Sequence, residues 1–218
     1  MKKSLLILLI NTCILSSISA QTVYSNKNDV FAAKTFTFFG YDYTQLRIAD
    51  GTRMGQNLMP FFPALSKLLL GRFNQKEFEI MFRKGKHNIP FNTNPTVSGN
   101  EKINNGKIVT LEPQKIPADS LPVMIKKYQL TETEGIGSVI IFECFNREAN
   151  TESAYMVFFD IATRNILYSK YIESRDGNGY NYMGDWKKAA LKAIPRLLDL
   201  CVKDFDLYRK EQKKANKN

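Results

Sequence analysis

The sequence predicts a mixed α+β fold, a sheet covered by helices, with a three-layer α/β/α arrangement as one form of it. Two patterns carry the prediction. Runs at 138–145, 154–161 and 166–173 are rich in Val, Ile, Phe and Tyr and are separated only by polar turns, as in an antiparallel meander. After them, Trp186, Ala190, Ile194, Leu197, Cys201, Phe205 and Tyr208 step by three or four, which puts them on one helical stripe. Apolar residues make up 44% of the chain and aromatics 12%, enough to fill a core between such layers.

Residues 1–20 read as a secretory signal peptide. Lys2 and Lys3 precede an apolar run over 4–10, and small residues lead to Ala20, leaving Gln21 as the mature start. Asn11 and Thr12 interrupt the run before it reaches membrane-span length, so the mature chain is expected to have no transmembrane span. A lipidated Cys13 is the alternative, but those two residues stand where a lipobox has small ones. The expected location is the periplasm or the exterior. Residues 21–218 are expected to form a single α+β domain.

The elements follow in order. Residues 34–48 read as one strand, with Phe36 and Phe38 on one face and Phe39 and Tyr41 on the other. Residues 58–70 read as a helix with Pro60 and Pro63 in its first turns and Gly71 as its stop. Asn74 and Glu77 have capping-box spacing, and Phe73 and Phe78 the spacing of a hydrophobic staple, so a short helix runs from 75 to about 83. The asparagine-rich stretch 86–106 shows no face to bury and reads as a long polar loop or two extended pieces, functional or disordered. A short strand is expected at 107–111. Leu121, Met124, Ile125 and Tyr128 mark the next helix, capped by Asp119 or Ser120. After the meander, Asp185 should cap the long helix and Pro195 should kink or split it. A basic tail from about 210 is expected to fray.

The formal charge is +10, and +8 once Lys2 and Lys3 leave with the leader. Spread lysines that keep an exported domain soluble account for this. Nucleic acid is not an expected partner outside the cytoplasm, whereas an envelope protein or a glycan is. The oligomeric state is not legible. Cys144 and Cys201 read as two buried thiols, with a disulfide as the alternative.

Candidate chemistry is sparse. His87 is the single histidine and sits among Arg83, Lys84 and Lys86 with no nucleophile motif near it. Glu143 and Asp160 are the best pair for carboxylate chemistry, which needs two acids about 5–10 Å apart. A structural ion pair or an edge position explains each of them as well. No catalytic residue, metal site or cofactor is assigned. The binding candidates are Arg175, Tyr180, Tyr182 and Trp186, in and around a loop holding Gly177, Gly179 and Gly184. Large rings with polar tips suit a contact surface, and also suit core packing.

One hairpin adds a resemblance. Residues 157–169 read Val-Phe-Phe-Asp-Ile-Ala-Thr-Arg-Asn-Ile-Leu-Tyr-Ser. An apolar strand, an Asp-x-x-Thr turn and a return strand ending in Ser resemble the hairpin of the curli-secretion lipoprotein family, whose fold is similar to the N-terminal domain of TolB. Arg164 stands where that family has a turn glycine. The resemblance spans roughly 135–200 and implies a non-enzymatic role in the bacterial cell envelope. An exported binding or accessory protein is thus the expected function, and an exported carboxylate-dependent hydrolase the alternative.

Overall fold

The computed structural model describes residues 24–50, 57–58, 60–117, 119–175 and 183–216. The expected leader at 1–20 lies outside them. Among the described residues the strands are β1 (Thr37–Asp42), β2 (Arg47–Ala49), β3 (Val109–Thr110), β4 (Ile136–Asn146), β5 (Thr151–Asp160) and β6 (Ile166–Arg175). The helices are α1 (Lys27–Ala32), α2 (Phe61–Arg72), α3 (Gln75–Met81), α4 (Asn94–Asn100), α5 (Ser120–Lys126) and α6 (Met183–Ala215). One mixed sheet runs β3-β2-β4-β5-β6, with β1 also on β4. β4, β5 and β6 form the antiparallel meander, whereas β1 and β2 run parallel to β4.

Helices cover both faces, because the central strands are apolar on both. Phe36, Phe38, Ile140, Phe142, Met156 and Phe158 face α2, α3 and α6. Phe39, Val139, Ile141, Val157 and Phe159 face α5, which contributes Leu121, Met124 and Ile125. The first layer is an aromatic lattice. Phe158 meets Phe36 edge-on with ring centroids 5.2 Å apart, and Phe205 of α6 meets Phe82 at 5.2 Å and Phe31 at 4.8 Å. Each such pair contributes about 0.5–1.5 kcal/mol beyond its burial.

Several boundaries differ from the sequence reading, each for a physical reason. The expected single strand is two. Gly40, at φ +94°, sits in a bulge between Phe38 and Tyr41. The extra residue reverses the parity, so Tyr41 joins Phe38 on the α6 face while Phe39 stays opposite. α2 begins at Phe61, not at 58. Proline costs no helical hydrogen bond where its missing N–H would have no helical acceptor, and Pro60 at the N-cap and Pro63 in the first turn meet that condition. Gly71 lies within α2, and the closing bond runs from the Phe73 N–H to the Leu69 carbonyl. Asn74 caps α3 by accepting from the Glu77 N–H at 3.2 Å, and Phe73 and Phe78 are buried as the staple spacing requires.

α6 runs unbroken through Pro195 and continues to Ala215. It therefore does not split at the proline. Asp185 lies inside it, after Met183, and so is not its cap. The expected stripe is buried, with Ala190, Ile194, Leu197, Cys201 and Phe205 inaccessible. Among the described residues no helix is long and apolar enough to cross a membrane.

Candidate functional site

The site lies where the first strand breaks. β1 pairs with β4 from Thr37 to Asp42, and β2 resumes on the same edge of β4 opposite Cys144 to Asn146. Residues 43–46 loop away between them. The helix α4, formed inside the stretch expected to be a polar loop, repairs the break. Asn100 accepts from the Tyr43 N–H at 2.8 Å and donates to the Tyr41 carbonyl at 2.8 Å, so one side-chain amide takes the place of a strand neighbour. Thr96 donates to the Phe39 carbonyl at 2.6 Å. That close approach requires Gly40, because a Cβ there would lie 2.8 Å from Thr96 Oγ1.

Docking α4 against the break while α5 approaches from the other side encloses a cleft of about 430 Å³. Pro95, Ile103, Ile108 and Met124 form apolar walls, and Asp42 and Tyr128 are at its base. The buried Asp42 accepts from the Tyr128 hydroxyl through one oxygen and from the Thr44 N–H at 2.7 Å through the other. Burial first, and the Asp42 charge second, push the Tyr128 hydroxyl well above its ordinary pKa, so it stays a proton donor. Arg47 donates to the carbonyls of Gln45 at 3.1 Å and Leu46 at 2.9 Å, which holds the looped-out residues. Lys102, Lys107 and Lys127 also line it, beside the neutral polar Gln45, Ser98, Asn104 and Gln129. All three are exposed, and their ammonium groups have no hydrogen-bond or ion-pair partner among the described residues.

A second basic depression, also about 430 Å³, lies among the ends of α1, α3 and α6 and is lined by Lys34, Arg83, Lys84, Arg209 and Lys213. Here Arg83, Lys84 and Arg209 are engaged, whereas Lys34 and Lys213 have no partner among the described residues. Lys84 donates to the carbonyl of Ala33, the C-cap of α1, and Arg209 donates at 2.6 Å to the carbonyl of Phe82, the C-cap of α3. Arg83 and Arg209 both reach Asp206, at 2.9 and 2.7 Å. Helix C-termini leave carbonyls without partners and carry partial negative charge, and these cations answer both. Burial first, then the Arg209 charge, lowers Lys84 to a pKa of about 8.

The sequence-selected binding residues fall largely outside the description. Tyr180 and Tyr182 are outside the described residues. Arg175 ends β6 opposite Thr151 and Trp186 belongs to the first turns of α6, but the side chains of both are also outside them. The carboxylate pair does not converge. Asp160 pairs with Ile136 near the start of β4, roughly 20 Å along the strand from Glu143 at about 3.3 Å per residue. Asp160 closes the hairpin by accepting from the Thr163 N–H at 2.7 Å and its hydroxyl at 2.8 Å. Glu143 takes neither of the roles expected for it. It is buried with no ion pair among the described residues and accepts from the Ile116 N–H at 2.8 Å and the Tyr171 hydroxyl at 2.9 Å, tying the segment before α5 to the sheet. His87 is exposed in a turn at φ +63°. Cys144 and Cys201 are free and buried. Their surroundings differ: Gln114 and Glu143 for Cys144, Tyr168 and Asp204 for Cys201, whose thiol burial pushes up to about 12. Among the described residues no three His, Cys, Asp or Glu side chains gather to hold a metal.

Comparison with protein families, with curated proteins and with solved structures finds no match.

Proposed function

We propose that this chain is an exported binding or accessory protein of the bacterial cell envelope, and that it holds its ligand in the cleft at the strand break. The observation that carries the reading is the way the cleft is built. A strand is interrupted, and a helix with little apolar surface is docked to repair it. The result is a concave site with apolar walls and a few fixed polar groups. Binding is favoured over carboxylate hydrolysis because Glu143 and Asp160 are far apart and each is engaged in structural hydrogen bonds. Export rests on the charged start, short apolar run and Ala20 end of the leader. The envelope reading draws support from the Asp160 hairpin, in which Arg164, standing at the resembled family's glycine position, takes φ +62°.

Ser98 is an exposed residue lining the cleft, so Ser98→Trp fills the space without entering the core. The mature protein, incubated with envelope extract and repurified, should carry a small molecule detectable by mass spectrometry. The Ser98→Trp protein should lack it. Identical loading of the two proteins would contradict this use of the cleft. Mass analysis of the exported protein should find Gln21 at its N-terminus, and a diacylated Cys13 would contradict simple cleavage.

A further inference from the structure

Taking the cleft as a binding site, we infer that its ligand is an amphipathic anion: an apolar body carrying a carboxylate or phosphate group. Three elements each bring one exposed lysine to the lining of the cleft. Lys102 follows α4, Lys107 closes a single 3-10 turn at Asn105–Lys107, and Lys127 ends α5. Nothing among the described residues neutralises them. The carboxylate lining the same space, Asp42, is buried, and both its oxygens accept hydrogen bonds from the protein itself. It keeps its charge, as its effect on Tyr128 shows, but it is a single buried carboxylate against three exposed lysines. The charged lining is net positive, and a concave site between low-dielectric walls focuses that potential on whatever enters.

The walls set the other half of the ligand. Pro95, Ile103, Ile108 and Met124 offer no polar group, and a volume of about 430 Å³ suits a body of one or two fused rings or a short acyl chain. A bare inorganic anion would leave those walls unused. A cationic ligand would face three like charges. A neutral polar one could hydrogen-bond to the lysines and to Gln45, Ser98, Asn104 and Gln129, but would leave the three positive charges without a counter-charge. The amphipathic anion is the class that uses both features.

The test employs naphthyl compounds that share one apolar body: naphthoate, naphthyl phosphate, naphthamide and naphthylmethylammonium. Each is titrated calorimetrically into the mature full-length protein. At low salt either anion should bind about tenfold or more tightly than the amide, and the cation should not bind. Whichever anion binds more tightly assigns the head group. The preference should shrink as salt rises. It should also disappear in the Lys102→Gln, Lys107→Gln, Lys127→Gln variant, whose melting temperature should match the parent because the three ammonium groups are exposed and unpartnered. Equal affinity for naphthoate and naphthamide would overturn the anion inference and leave the binding site standing. So would a preference that survives in the triple variant. Binding unaffected by Ser98→Trp would remove the site from this cleft. Failure of all four compounds to bind at millimolar concentration would overturn both readings.

Discussion

Two basic depressions of similar size lie on this molecule, and their cations do different things. Between the ends of α1, α3 and α6, Lys84 and Arg209 donate to helix-terminal carbonyls and Arg83 and Arg209 share Asp206. At the strand break, Lys102, Lys107 and Lys127 have no partner among the described residues. The first cluster is the electrostatic counterpart of converging helix ends. It would be needed if the protein bound nothing. The second has no such structural account and stands over an apolar space. Charge density alone would not separate them; what does is that Arg83, Lys84 and Arg209 are bound to the protein in the first, where only Lys34 and Lys213 are unpartnered, whereas the lysines of the second all are and share their space with apolar walls.

The comparison can be broken by substitution. The largest effect is expected at Gly40→Ala. A Cβ at φ +94° that also collides with Thr96 should cost about 3 kcal/mol, measured by chemical denaturation, and should abolish ligand binding as α4 lifts from the break. A neutral outcome would mean that α4 is not docked as described. Next is Arg209→Ala, which leaves the Phe82 carbonyl and Asp206 short of a donor and should cost about 2 kcal/mol without changing ligand affinity. If ligand affinity fell instead, the assignment of the two depressions would be reversed.

A smaller effect is expected from Lys84. Its folded-state pKa of about 8 lies below the ordinary lysine value of 10.5, so the unfolded chain holds the proton more tightly. Stability should therefore rise with pH through this group between about pH 8 and pH 10. Lys84→Met should remove that rise, read as the difference between parent and variant denaturation midpoints across the window. Parallel pH profiles would show that Lys84 is not perturbed. The smallest effect belongs to the Lys102, Lys107 and Lys127 triple glutamine variant, whose stability should stay within about 0.5 kcal/mol of the parent.

The meander and the stripe of α6 were legible in the sequence because each repeats its own period over many residues. β4 and β5 carry alternating apolar faces, and Ala190 to Phe205 keep helical spacing throughout. The break in the first strand was not legible, since Tyr41 changes face only because Gly40 takes a positive φ, and that in turn depends on Thr96 from a distant segment. α4 escaped for the same reason. Within it Pro95 and Thr96 are the buried residues, and Thr96 and Asn100 hold it by bonds to the β1 backbone, not by an apolar stripe. Pro95 in its first turn was the one local signal of a helix start. The cleft draws on residues around 42–47, 95–108 and 124–129, so its charge appeared in the sequence only as part of an overall +10. Asp160 was read as a candidate acid, although its Asp-x-x-Thr spacing is that of a side chain closing its own turn.

The most direct test of the difference between the two depressions is a naphthoate titration followed by amide chemical shifts, which observes both at once in the unmodified protein. The account predicts saturable shifts for Ser98, Lys102, Lys107 and Gln129, and none for Lys84, Asn88 and Arg209. Shifts centred on Lys84 and Arg209, or equal at both places, would contradict it.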